Sequence, residues 1–270
     1  MAITLDYVHN ELFKLLCIID DICSQNGICY FLDGGSEIGA IREKDFIPWD
    51  DDVDIKMPRK DYERFRGIVK KALPQGYDYI EASDFSPHFY DFVSRVIKND
   101  VLTRKETDED RFYGNLENRI SIDIFVLDPI CDDLFRQKLH LFRLKAVYGM
   151  AMSKRYDIKK EQYTRVQRIM IAVLRGIGSF FSAEQLIKMQ EKLARKYENQ
   201  ATNHVVFANS PLYALFAVPS SWYDGTTLMP IRDRKFPVPA GYDQELTTFY
   251  GDYMHPPEDK SKYKRHVDVD

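Results

Sequence analysis

Trp49-Asp50-Asp51-Asp52-Val53-Asp54-Ile55-Lys56-Met57 decides how this chain folds. Val53, Ile55 and Met57 alternate with polar residues, which predicts a strand with one face in the core, closed by Pro58. On such a strand residues i and i+2 share a side, so Asp52 and Asp54 are expected as neighbours with Cα atoms about 7 Å apart. Two carboxylates that close repel, and hard oxygen ligands at that spacing suit Mg²⁺ or Mn²⁺. A solvated acidic turn is the plain alternative, and the apolar alternation argues against it. A calcium loop fails, because Ile55 stands where its tight turn needs glycine.

Upstream, Leu5, Val8, Leu12, Leu15, Leu16, Ile19 and Ile22 fall at helical spacing, and Gly27 ends that helix. A short β-prone run, Ile28–Leu32, empties into Asp33-Gly34-Gly35-Ser36, after which Glu37–Glu43 restarts as a helix. Glycines let a backbone approach a phosphate, and a helix start carrying a serine hydroxyl favours an anion, so Gly35 and Ser36 are candidate phosphate contacts. An ordinary turn would read the same. Downstream, Asp61–Leu73 is helical, and strands are predicted near Phe92–Ile97 and Ile120–Leu127. In the second of these Asp123 points away from the isoleucines; such an aspartate needs an ion, a metal or backbone amides to satisfy it. Asp128 reads as a turn or cap residue.

The chain has 270 residues and a formal net charge of −4, which argues against a nucleic-acid-coating surface. Its four cysteines form no CxxC pair and read as reduced thiols, suiting the cytoplasm. No basic start followed by an apolar stretch suggests a signal peptide, and no apolar run is long enough to span a bilayer. Arg165–Phe181 is apolar with interspersed arginines: either a core helix or a peripheral contact at the inner face of the membrane. Residues 132–200 are expected to be helical, and a proline-punctuated tail is expected to be irregular. The overall expectation is α+β: a mixed sheet flanked by helices over 1–130, a helical insertion over 131–205, and a segment over 206–270 that packs back to complete the site. The six histidines form no metal-ligand spacing.

At GGSEIGAIREKDFIPWDDDVDIKMPRKDYERF (34–65), SIDIFVLD (121–128) and FPVPAGYDQELTTFYGDYM (236–254) the sequence resembles the LicD family, a branch of the nucleotidyltransferase-fold superfamily that includes fukutin-type proteins. The resemblance implies transfer of phosphocholine or a related phospho-alcohol from a CDP-linked donor, CDP-choline above all. The implied acceptor is a hydroxyl of a cell-surface glycan, such as lipopolysaccharide or teichoic acid, or of its lipid-linked precursor. It further implies that Asp52, Asp54 and Asp123 bind Mg²⁺ or Mn²⁺ and carry catalysis, and that Gly35 and Ser36 hold the donor phosphates. Arg95 falls where relatives often place a basic residue and is a second phosphate candidate; a surface arginine at a strand edge is the alternative. Glu43 and Asp45 stand where relatives have histidine and glycine, and Arg232-Asp233 where they favour an acidic residue and glycine. These changes put the transferred group in question more than the chemistry.

Two other functions fit the same carboxylates. One is nucleotidyl transfer from an NTP, releasing pyrophosphate; the other is a donor-nucleotide sensor without turnover. Asp252 is open between site and turn. Trp49 either stacks on a ligand or packs beneath the acidic loop.

Overall fold

The computed structural model describes residues 3–158, 163–210 and 215–257. The basic run Lys260–Arg265, His266 and Pro211 of the proline-punctuated tail lie outside them. Helix α1 (Leu5–Asn26) starts where the Thr4 hydroxyl accepts the Tyr7 N–H and stops where Gly27 takes a left-handed φ of 58°. It buries Val8, Leu12, Leu15, Leu16 and Ile19 against the sheet. Strand β1 (Phe31–Asp33) leads into the short helix α2 (Gly34–Ile38), which widens into a π turn over Gly39–Glu43. Then come β2 (Val53–Pro58), α3 (Arg59–Ala72), β3 (Tyr77–Ile80), β4 (Ser94–Leu102), the short α4 (Asp108–Phe112) and β5 (Arg119–Ile130).

The sheet runs β1-β2-β5-β4-β3, with β2 and β5 parallel and the other pairs in that row antiparallel. Leu32, Val53, Ile55, Met57, Val96, Ile122, Ile124 and Val126 fill the core beside α1 and α3. Burying that many β-branched side chains makes one face of β2 and β5 apolar and leaves the other free for charge. The α+β expectation holds, with the mixed sheet flanked by helices.

Helices α5 (Leu134–Ala151), α6 (Arg165–Gly178) and α7 (Ala183–Ala194) form the expected helical region. Among the described residues no single helix is long and apolar enough to cross a membrane.

The tail is more regular than its prolines predict. β6 (His204–Phe207) pairs with the far end of β5, β7 (Ala217–Pro219) pairs with β6, and β8 (Thr226–Ile231) pairs with β9 (Arg234–Pro239). Pro239, Pro237 and Pro230 fall in the pairs with Thr226, Leu228 and Lys235, every second position of the ribbon. At alternate positions of a two-stranded ribbon the N–H points outward, so proline costs it no ladder bond. Helix α8 (Tyr242–Tyr250) closes the chain against the sheet.

Asp128 is not a turn residue. It lies inside β5, fully buried, and both its oxygens take N–H groups from Arg59 at the start of α3, at 2.7 and 2.9 Å. The pattern stopped at Leu127 because a buried charge looks like a strand end until its partner is known. Removing one side of such a pair leaves an uncompensated charge. Arg59→Met should therefore destabilise the protein by about 3–5 kcal/mol in urea unfolding, and Arg59→Met with Asp128→Leu should recover most of the loss. Equal losses in the two variants would show that the pair is not what holds α3 to β5.

Candidate active site

Register assembles the site. Asp33 of β1 stands opposite Asp54 of β2, Asp54 opposite Asp123 of β5, and Asp123 opposite Arg95 of β4. Adjacent strands lie about 4.8 Å apart, so three carboxylates and one guanidinium form a row across one face of the sheet. Asp52 sits one residue before β2 rather than on it. It nevertheless acts on both Asp54 and Asp123, raising the pKa of each by its charge.

The loop leading in adds more acid. Ligand oxygens of Asp50, Asp51 and Asp52 lie within 4.8 Å of one another. The Asp50 carbonyl is held by His9 Nε2 at 2.7 Å. Burial, then the charge and hydrogen bond of Asp52, and Asp51 push the Asp50 carboxyl up to about 8. Asp54 rises well above the usual carboxylate range, through burial first and then Asp52, Asp123, Asp33 and Asp50. Asp123 also rises through burial, against the pull of Arg95.

Both ends of the row are neutralised. At one end Lys56, two residues along β2 and fully buried, sets its ammonium 3.0 Å from Asp33, 2.9 Å from Glu37 and 2.7 Å from Glu245. Burial alone would lower its pKa; Glu37, Asp33 and Glu245 outweigh that and raise it. Tyr223 donates to the other oxygen of Glu245 at 2.7 Å and lays its ring 5.6 Å from the ammonium. Three carboxylates around one lysine leave excess negative charge, and burial lifts Glu37 to about 8. Since Glu245 is on α8, this cluster fastens the tail to the site.

At the other end Arg95 is buried, and its guanidinium takes Asp91 at 2.6 and 2.9 Å and Asp123 at 2.9 and 3.0 Å. The expectation of an edge arginine fails, since β4 lies between β5 and β3. With Val93's carbonyl taking a further N–H, the fork is committed to holding Asp123 rather than turned to a phosphate. Asp54, in the middle, has no ion pair among the described residues.

Ser36 and Gly35 lie beside this row. The Ser36 hydroxyl accepts the backbone N–H of Asp54 at 2.9 Å, which leaves its own proton to donate. A methyl group on Gly35 would meet Asp50 Oδ2, so any larger residue there would have to push that carboxylate aside. Gly34 has a φ of 52°, and a Cβ there would meet the Tyr250 hydroxyl at 3.0 Å and Asp54 Oδ2 at 3.9 Å. Tyr250 is thus the residue of the Tyr250-Gly251-Asp252-Tyr253 run that reaches the acids. Asp252 is exposed and bonds His255 at 2.7 Å in the terminal turn. Trp49 packs among Ile38, Ile47, Leu246 and Tyr253 beneath the loop.

The structure therefore brings Asp52, Asp54 and Asp123 to one place, beside Gly35 and Ser36, with Arg95 behind Asp123. The trio is not itself a tight set of oxygens. Among the described residues the two tight groups are Asp50–Asp51–Asp52 and Asp33–Glu37–Glu245. Lys56 already fills the second, whereas the first, on the loop leading into β2, groups hard oxygen donors of the kind a divalent cation takes. Sequence reasoning missed Asp33, Glu37, Lys56, Tyr223, Glu245 and Tyr250. Asp33 stood in plain view before the glycines, whereas the lysine cluster unites residues that only the tertiary fold brings together.

The substitutions at Asp45 and Arg232 answer each other. Arg232, at a φ of 57° in the β8–β9 turn, places Nε 3.1 Å from Asp45 and donates its backbone N–H to the Lys44 carbonyl at 3.0 Å.

Comparison with known proteins places the chain in a family. The chain is 27% identical over 259 residues to the lipopolysaccharide cholinephosphotransferase LicD of Haemophilus influenzae, an alignment covering 91% of this chain and 89% of the relative. An uncharacterised Rickettsia typhi protein is 32% identical over 67 residues, 25% of this chain and 22% of its own length. A third relative, uncharacterised and from Rickettsia prowazekii, is 30% identical over 67 residues, 25% of each chain. The family model described as LicD/FKTN/FKRP, nucleotidyltransferase domain, matches residues 27–169, more than half the chain, and to that family this protein belongs.

Proposed function

We propose that this protein transfers phosphocholine, or a closely related phospho-alcohol, from a CDP-linked donor to a hydroxyl of a cell-surface glycan or its lipid-linked precursor, releasing CMP. The observation that carries the proposal is the acidic row beside Gly34-Gly35-Ser36, on a chain alignable over 91% of its length with a lipopolysaccharide cholinephosphotransferase. CDP-choline is the first donor to test, and lipopolysaccharide or its precursor the first acceptor. The four cysteines, all free thiols, accord with a cytoplasmic place of action.

Phosphoryl transfer asks a protein mainly for positioning and charge neutralisation. The fit of a hard divalent cation, Mg²⁺ or Mn²⁺, rests on the mutual repulsion of Asp50, Asp52, Asp54 and Asp123, which no side-chain cation among the described residues relieves at Asp54. Asp52 and Asp54 would hold it, with Asp123 as third ligand, and bound there it would offset the negative charge of the donor diphosphate. Gly35 lets the protein backbone come close to the donor phosphates, and Ser36 donates its free hydroxyl proton to a phosphate oxygen. Asp123, aimed by Arg95, accepts the proton of the attacking hydroxyl as the new oxygen–phosphorus bond forms and the bond to CMP breaks. Tyr250 bounds the site from the tail.

Three measurements test this. CDP-choline with an acceptor should yield CMP; pyrophosphate from an NTP would replace the reading with nucleotidyl transfer. Asp52→Asn and Asp54→Asn should each leave less than about a tenth of the rate, a rise of more than ~1.4 kcal/mol in the barrier. Asp54→Asn should at the same time raise the melting temperature by about 2–4 °C, because it removes a repelled charge. A variant that is both stabilised and active would exclude Asp54 from the chemistry.

The pH dependence follows from the raised carboxyls. Between about pH 4 and pH 8 Asp50 keeps its proton in the folded protein and loses it in the unfolded chain. Unfolding then releases protons, so Asp50 contributes a loss of stability as pH rises through that window. Mg²⁺ should therefore raise the melting temperature more near pH 8 than near pH 5. An equal gain at both, or none at either, would place the cation elsewhere.

A further inference from the structure

Helix α6 turns its apolar side outward. Thr164 and Gln167 cap its start reciprocally, so the helix is well defined. Ile171 and Leu174 face inward onto the cluster that includes Val147 and Met150 of α5, and Gly178 lets the two backbones meet at the Met150 carbonyl. Val166, Ile169, Met170, Val173, Ile177 and Phe180 recur at the 3–4-residue spacing of a single stripe, and all are exposed. Val166, Ile169, Val173 and Phe180 are 67, 66, 58 and 88% exposed, values suited to an uncovered interaction face and foreign to a core helix. The core-helix reading of Arg165–Phe181 thus holds only for its inner third.

Charge selects the partner. Helix α6 carries three arginines and α5 four basic residues, and neither helix contains an aspartate or glutamate. Phe135 and Phe142 of α5 are also exposed, at 78 and 59%. Two copies of this chain meeting stripe to stripe would set arginines against arginines. An apolar stripe flanked by cations, with no acid on its helix, matches the headgroup layer of an anionic bilayer.

We infer that α6 is an interfacial helix that seats the protein reversibly on an anionic membrane surface, with Val166, Ile169, Val173 and Phe180 in the acyl boundary and Arg165 and Arg168 at the phosphates. The inference stands on this face alone and is independent of the transfer reaction. The site row and this helix are separate parts of the chain, so either reading survives failure of the other.

Flotation of the full chain with lipid vesicles tests it without any turnover. The protein should rise with vesicles of phosphatidylethanolamine and phosphatidylglycerol and far less with phosphatidylcholine alone. Ile169→Glu with Val173→Glu should cut vesicle partitioning by at least about tenfold while the circular-dichroism melt is unchanged, both positions being exposed. Arg165→Gln with Arg168→Gln should abolish the preference for phosphatidylglycerol, and it keeps the test valid if the first variant misfolds. Wild-type protein that does not float with phosphatidylglycerol vesicles, or a glutamate variant that floats as well as wild type, overturns the inference. So does a dimer in sedimentation that the glutamate variant converts to monomer.

Discussion

Everything in this molecule is arranged around the cost of bringing like charges together. Asp33, Asp54 and Asp123 are set side by side by strand register, and Asp50 and Asp52 lean in from the loop. The fold tolerates this by neutralising the row from its ends, with Lys56 against Asp33 and Arg95 against Asp123. The interior position, Asp54, has no such partner among the described residues, and burial with its acidic neighbours raises its pKa instead. Stability is given up there for a concentrated negative field, the property on which the proposed cation binding rests.

The same economy explains why the tail belongs to the site. Lys56 needs more than Asp33 to be buried as a cation, and Glu245 arrives from α8 to provide it, with Tyr223 closing the cage. A lysine buried with its carboxylates is costly to break and gives little net stabilisation when intact. Its effect here is positional: it fixes α8, which brings Tyr250 over Gly34 and Asp54.

How much of this the sequence revealed depended on whether the signal was local. Val53, Ile55 and Met57 marked β2, and Ile120, Ile122 and Ile124 marked β5, because period-two burial is written along the chain. Asp52, Asp54 and Asp123 were readable for the same reason. Lys56 with Glu245 was not: the partners are far apart in sequence, and a lysine in a strand looks like a solvent-facing residue. Asp128 and Arg95 misled in the same manner, each a charge whose environment is made by another element. The ribbon β8–β9 was hidden by its prolines, whose alternate placement carries meaning only once the register is known.

The hydrogen bond from the Asp54 N–H to the Ser36 hydroxyl has a thermodynamic consequence. It makes the turn proposed to meet the donor phosphates and the strand proposed to meet a cation a single mechanical unit. A group that tightens Ser36 must also settle Asp54, and the reverse holds to the same extent, because linkage between two binding events is symmetric. Two ligands meeting at this joint would each sharpen the affinity for the other.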